Sequence, residues 1–114
     1  MKRIYVAGAY SANNVIDILD NMRKGMRAAT ILMQKGFSPF CPWLDYQFQL
    51  MLREGESLTV SDYYRYSIDW LVVSDCMVVL DGWKNSTGTM KEIEIANENG
   101  IPIYYGIENF LKDN

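Results

Sequence analysis

The residues best suited to chemistry lie close together in the sequence, in residues 74–96, SDCMVVLDGWKNSTGTMKEIEIA. An apolar strand-like run there leads into a polar loop, and the loop leads into a helix rich in acids. Gly82 and Gly88, with Asn85, Ser86, Thr87 and Thr89, bring free amides and hydroxyls to a helix N-terminus, a combination that cradles a phosphate or a sugar. Small polar residues before a helix are equally ordinary capping chemistry. Within the helix, Glu94 and Glu98 stand four apart as an exposed stripe, whereas Glu92 leads a stripe continued by Ile95 and Ala96. A carboxylate at the head of a half-buried face points into a pocket. A first-turn acid favoured by the helix dipole fits the same spacing. Neither GxxxxGK[ST] nor, after the first strand, GxGxxG occurs, so ATPase and dinucleotide-binding folds have no motif support.

Composition narrows the chemistry further. The 114 residues contain no histidine, which removes Ser-His and Cys-His nucleophile systems and the commonest metal ligand. Catalysis would fall to carboxylates, tyrosines, lysines and backbone amides, with no metal and no cofactor expected. A net charge of −3 with scattered Lys and Arg argues against a surface for polymeric nucleic acid. No apolar run approaches a membrane span, and the opening MKRIYVAGAY turns polar too soon for a signal peptide, so the expected location is cytoplasmic. Cys41 and Cys76 sit in apolar runs without a CxxC partner and read as buried free thiols.

The elements that must position Glu92 follow from periodicity. Residues 3–8, RIYVAG, form a first buried strand ending at a glycine. Asn14 caps a helix whose apolar positions, Val15, Ile18, Leu19, Met22, Met26, Ala29 and Met33, define one face, and Gly36 stops it. Residues 37–42, FSPFCP, form a second strand that its prolines confine to an edge. Residues 43–60 are rich in aromatic and apolar side chains without clean alternation, which suits core packing or a subunit contact. Ser61 caps a helix with Tyr64, Ile68, Leu71 and Val72 inward. Asp69 on that helix lies among apolar neighbours, uncomfortable for a carboxylate without a partner or a task, unless that position is solvated.

Residues 76–80, CMVVL, do not alternate, the mark of a strand covered on both faces in a parallel sheet. A helix over 90–99, a strand over 101–105 and a short helical tail over 108–114 complete the chain. The pattern predicts one α/β domain spanning 1–114: a three-layer α/β/α, Rossmann- or flavodoxin-like parallel sheet of four to five strands in the order 2-1-3-4. Its switch point falls between the first and third strands, so the loops after Gly8 and Leu80 meet where ligands bind.

The segments IYVAGAYS, YSIDWLVVSDCMVVLDGWKNSTGTMKEIEIA and GIPIYY resemble the nucleoside 2-deoxyribosyltransferase superfamily over nearly the whole chain, residues 43–60 excepted. The closest resemblance is to its small, often phage-borne branch, with 2′-deoxynucleoside 5′-monophosphate N-glycosidases as relatives. The resemblance implies that Glu92 is a nucleophile toward the anomeric carbon of a deoxyribosyl group, that Asp69 is a second acid assisting base departure, and that Tyr5 orients the nucleophile. It implies that Gly8, Ser86 and Gly88 form the cradle, aligns Asp75 with a further family acid, and leaves Trp83 and Tyr10 to stack on a base or pack their loops. It further implies a nucleoside or nucleotide substrate and a homodimer or larger homo-oligomer, with residues 43–48 a candidate contact. Monophosphate-specific members carry a basic residue after the first strand. This chain has none between Arg3 and Arg23, which leaves a phosphate to Lys84 or to a neighbouring subunit.

The activity this implies is cleavage or exchange of an N-glycosidic bond, chemistry that two carboxylates and a tyrosine can perform. A binding module for a nucleotide-derived ligand is the alternative. A ribonucleotide phosphoribohydrolase of the lysine-decarboxylase-like type, whose GGxGTxxE motif partly resembles STGTMKE, is a third.

Overall fold

A computed structural model describes residues 2–114. Among them, four strands, β1 (Arg3–Ala7), β2 (Ser38–Phe40), β3 (Cys76–Val79) and β4 (Ile103–Tyr105), form one sheet in the order β2-β1-β3-β4. Every pairing is parallel, with Tyr5 opposite both Phe40 and Met77. The expected order and fold class are those observed. The short β2 takes the edge, where Pro39 costs no central ladder bond.

Alternation along β1 and β3 divides the core in two. Ile4, Val6, Cys76 and Val78 face α1 (Val15–Gln34) and α5 (Ile107–Asp113), whereas Tyr5, Ala7, Met77 and Val79 face α3 (Val60–Leu71) and α4 (Thr87–Glu98). Both cysteines are buried and free. No helix among the described residues is long and apolar enough to cross a membrane.

Several boundaries differ from the sequence expectations, each for a local reason. Asn14 caps α1 as expected, accepting from the Asp17 amide, but the buried face runs through Met22, Gly25, Ala28, Ala29 and Leu32. Val15 and Met33 are exposed, because the small residues allow the helix to lie closer to the sheet on their side. Thr59, not Ser61, caps α3, since Asp62 three residues on returns the hydrogen bond and closes a capping box. On α3, Ser67 and Leu71 are the buried residues, while Val72 beyond the helix end is exposed. Ser86 caps α4, which begins at Thr87 instead of Met90.

Residues 43–60 divide into a buried and an exposed part. Trp43, in a 3-10 turn over Pro42–Asp45, is buried in the core, so it is removed from the expected subunit contact. The short α2 (Tyr46–Leu50) and the residues after it leave Phe48, Leu50 and Met51 exposed.

Trp43 is a brace beneath the carboxyl edge of the sheet. Its indole N–H donates to the Ala9 carbonyl at 3.1 Å, and its ring lies against Gly8 and Gly25. A Cβ on Gly25 would stand 2.2 Å from that ring, inside any tolerated contact. An alanine in a helix interior is ordinarily better than glycine by up to about 1 kcal/mol. Here Gly25→Ala is expected to destabilise the fold instead, by about 1–3 kcal/mol, because the ring has to move within a packed core. Urea denaturation of the two proteins checks the sign.

Candidate active site

Glu92 sits in the second turn of α4, because the helix starts three residues earlier than the periodicity suggested. The dipole-favoured first turn is occupied by Thr87, Gly88 and Thr89, so the dipole does not explain the acid. Thr89, Glu92 and Ala96 fall on one stripe of α4, and that stripe faces the sheet. Glu94 and Glu98 are exposed, as the spacing predicted.

The Glu92 carboxylate accepts a hydrogen bond from the hydroxyl of Tyr5, which is fully buried on the central strand. Ser67, buried on α3, lies close enough to the same phenol to interact with it. Three elements thus converge on one acid: β1 through Tyr5, α3 through Ser67 and α4 through Glu92 itself. Phe40 stacks on the Tyr5 ring with centroids 5.5 Å apart and fixes the phenol from the other side.

Burial pushes Glu92 up from 4.5 to about 7, and the Tyr5 hydrogen bond opposes part of that rise. Tyr5 is raised well above its ordinary value, first by burial and then by the neighbouring Glu92 charge, so it stays a phenol. The ion pairs among the described residues join Arg3 to Asp75, Arg23 to Asp20 and Arg65 to Asp62, and none involves Glu92. A half-buried carboxylate stabilised by a neutral donor and no cation is poised between its two protonation states near neutral pH.

The remaining predicted residues separate. Asp69 is exposed on α3, two residues from Ser67 and therefore about 200° around the helix from it, so it is not brought to Glu92. The inward position that the sequence reading missed is Ser67. Its signal is the i, i+4 pair it makes with Leu71, the other buried residue of α3. Asp75 precedes β3 and lies at the amino edge of the sheet, opposite the ligand edge. It accepts from the Arg3 amide at 2.7 Å and pairs with the Arg3 side chain, a structural tie between β1 and β3 of the kind its place just before a strand also allows.

Ser86 accepts from the Thr89 amide and hydroxyl, so its oxygen serves the cap of α4. Gly8 is where the loop after β1 passes Trp43 and Leu80 closely, and a Cβ there would meet both at 3.1–3.3 Å. Gly88 is exposed in the first turn of α4, with open space where a Cβ would be. Trp83 packs on Tyr105, 5.2 Å between centroids, with Lys84 over its ring. Tyr10 donates to the Asp45 carboxylate at 3.3 Å. A cleft of about 250 Å3 between Phe48, Leu58, Tyr63 and Tyr66 opens beside α3.

The raised pKa of Glu92 also predicts a stability effect. In the unfolded chain it ionises near 4.5, whereas the folded protein holds the proton up to about 7. Between those pH values the unfolded state loses its proton first, so stability falls as pH rises, by about 3 kcal/mol in all. Glu92→Gln is therefore expected to stabilise the fold by about 1–3 kcal/mol at pH 8.5 and to change little at pH 4, as read by thermal denaturation.

Residues 2–105 match the family model described as Domain of unknown function (DUF4406). No curated protein matches. Among solved structures, the chain is similar to the 2-deoxyribosyltransferase from the psychrotolerant bacterium Bacillus psychrosaccharolyticus, with a TM-score of 0.60 and 20% identity over 89% of this chain and 69% of that one. At that identity the likeness is one of fold. With nine-tenths of its length inside the matched region, the chain belongs to the DUF4406 family.

Proposed function

We propose that this protein cleaves or exchanges the N-glycosidic bond of a 2′-deoxynucleoside or its 5′-monophosphate, with Glu92 as the nucleophile. The observation that carries the proposal is the Tyr5–Glu92 pair: a half-buried carboxylate without a counter-cation, held by the phenol of the central strand. The likeness in fold to a 2-deoxyribosyltransferase and the resemblance of the Glu92 loop and helix to that superfamily support the same chemistry.

In the first step a Glu92 carboxylate oxygen bonds to the anomeric carbon while the carbon–nitrogen bond breaks. The bonding pair leaves with the base, which takes up a proton. The developing oxocarbenium charge is stabilised by the carboxylate, and the Tyr5 hydroxyl keeps the attacking oxygen in place. Attack of water on the resulting glycosyl ester, with loss of one proton, gives deoxyribose, or deoxyribose 5-phosphate from a monophosphate, and restores Glu92. Attack by a second base gives a new nucleoside. The exposed side chains of Leu50, Met51, Val60 and Trp70 suit contact with a second copy, and a homo-oligomer in the cytoplasm is part of the proposal.

One observation favours the binding-only alternative: Ser67, and not an acid, faces Tyr5 from α3. Release of free base from a panel of deoxynucleosides and their monophosphates separates the two. Turnover that Glu92→Gln reduces by about 1,000-fold or more supports the enzyme. Ligand binding without turnover, unchanged in Glu92→Gln, supports the binding module.

The pH dependence is fixed by the pair. Because the nucleophile is the carboxylate, kcat/KM is expected to rise with pH through about 7 as Glu92 ionises. The Tyr5 hydrogen bond lowers the Glu92 value, so Tyr5→Phe is expected to shift that limb to higher pH and to slow the reaction by about 10–100-fold. Rate profiles of the two proteins measure both effects.

A further inference from the structure

The Tyr5 phenol is held from the side by a row of side chains that crosses the sheet. Phe40 on β2 and Met77 on β3 are the register partners of Tyr5, and all three project to the α3 and α4 face. Met77 is fully buried, so the β3 side of the row is closed. The other side ends at β2, a three-residue strand at the edge of the sheet. A ring at such an edge swings toward water unless another element covers it.

The cover comes from α3. Tyr66 and Trp70, four residues apart and so on one face of that helix, both reach Phe40. Trp70 lies nearly parallel to Phe40, with centroids 5.8 Å and planes 18° apart. Phe40 in turn lies nearly parallel to Tyr5, at 5.5 Å and 20°. Tyr66 meets Phe40 at a tilt of 54°. Three stacked rings therefore run from Trp70, 48% exposed, to the phenol that donates to Glu92. Any apolar side chain covers an edge, whereas only a flat ring continues the stack.

Resting on the glycosidic reading of Glu92, we propose that Trp70 is a positioning residue: it closes the outer end of the stack and so keeps the Tyr5 hydroxyl on the Glu92 carboxylate. It acts through Phe40 and Tyr5. Without its ring, Phe40 gains freedom at the edge, the phenol follows, and the nucleophile loses part of its donor. Trp70 read only as packing at the sheet edge predicts lower stability with Glu92 unaltered.

Two readouts separate these roles. The Tyr5 bond lowers the Glu92 pKa, so a loosened phenol raises it. Tyr64, the α3 group that also interacts with Glu92, is pushed up to about 12 and keeps its proton across the neutral range, with Lys91 over its ring. A misdirected nucleophile also lowers kcat while leaving KM in place.

The test uses Trp70→Leu, which keeps apolar bulk without a ring, and Trp70→Phe, which keeps a ring. Trp70 is also suited to contact with a second copy, so the proteins are compared at concentrations where light scattering gives them one molar mass. With glutamate labelled at the side-chain carboxyl carbon, NMR titration reads Glu92 as the signal missing from Glu92→Gln. Trp70→Leu is expected to move the Glu92 midpoint from about 7 to about 7.5–8, and to cut kcat for deoxynucleoside cleavage by about 5–20-fold with KM within about 2-fold. Trp70→Phe is expected to keep the midpoint and to stay within about 2-fold of the wild type in kcat. Should Trp70→Leu not fold, Phe40→Leu, which removes the middle ring, carries the same expectation. A folded leucine variant with the wild-type midpoint and kcat overturns the inference. So does a midpoint that falls, the mark of a stack that only keeps water from the acid, or a phenylalanine variant as impaired as the leucine one. If no deoxynucleoside turns over, the glycosidic reading fails by itself, and the Glu92 midpoint in the variants still decides the role of Trp70.

Discussion

The hydrogen bond from Tyr5 to Glu92 is the constraint on which the structure depends. It joins the central strand to a helix that follows its neighbour, and it can form only if the parallel sheet is in register. Tyr5 must alternate toward the α3 and α4 face, and α4 must begin early enough to bring its second turn over the phenol. The fold spends stability to keep this acid out of water, since burial of a carboxylate without a cation opposes folding at every pH above its ionisation. A structural role would be filled better by an apolar side chain of the same size. The retained acid is therefore best understood through what it does to a ligand.

Around this bond the other features take supporting places. Gly25 leaves room for Trp43, Trp43 holds the loop after β1, and that loop brings Tyr10 to Asp45. Phe40 carries the packing outward from Tyr5 to Trp70 and Tyr66 on α3. Of the aromatic residues that obscured 43–60 in the sequence, Trp43 enters the core and Phe48 meets Tyr66 edge to face.

Strand order and layer structure were legible because they follow from local periods: the unalternating run of β3, the glycine-terminated β1 and the proline-marked edge at β2. Glu92 was legible for the same reason, as the odd acid on a half-buried stripe. What was not legible needed contacts distant in sequence. Asp69 and Ser67 are two residues apart, and only the docking of α3 decides which faces Tyr5. Asp75 stands out through its alignment with a family acid, and direction along the strand puts it at the amino edge, where it ties Arg3. Asp45 lay in the least regular segment, and no periodicity could have joined it to Tyr10.

The central claim is that Glu92 forms a covalent bond to the sugar. Intact-mass spectrometry after rapid acid quench, with a 2′-fluoro-substituted deoxynucleoside that slows the second step, tests it most directly. The account predicts one added glycosyl group per chain, mapped to the peptide that contains Glu92 and absent from Glu92→Gln. Turnover with the adduct on another residue, or an equal adduct in Glu92→Gln, would contradict it.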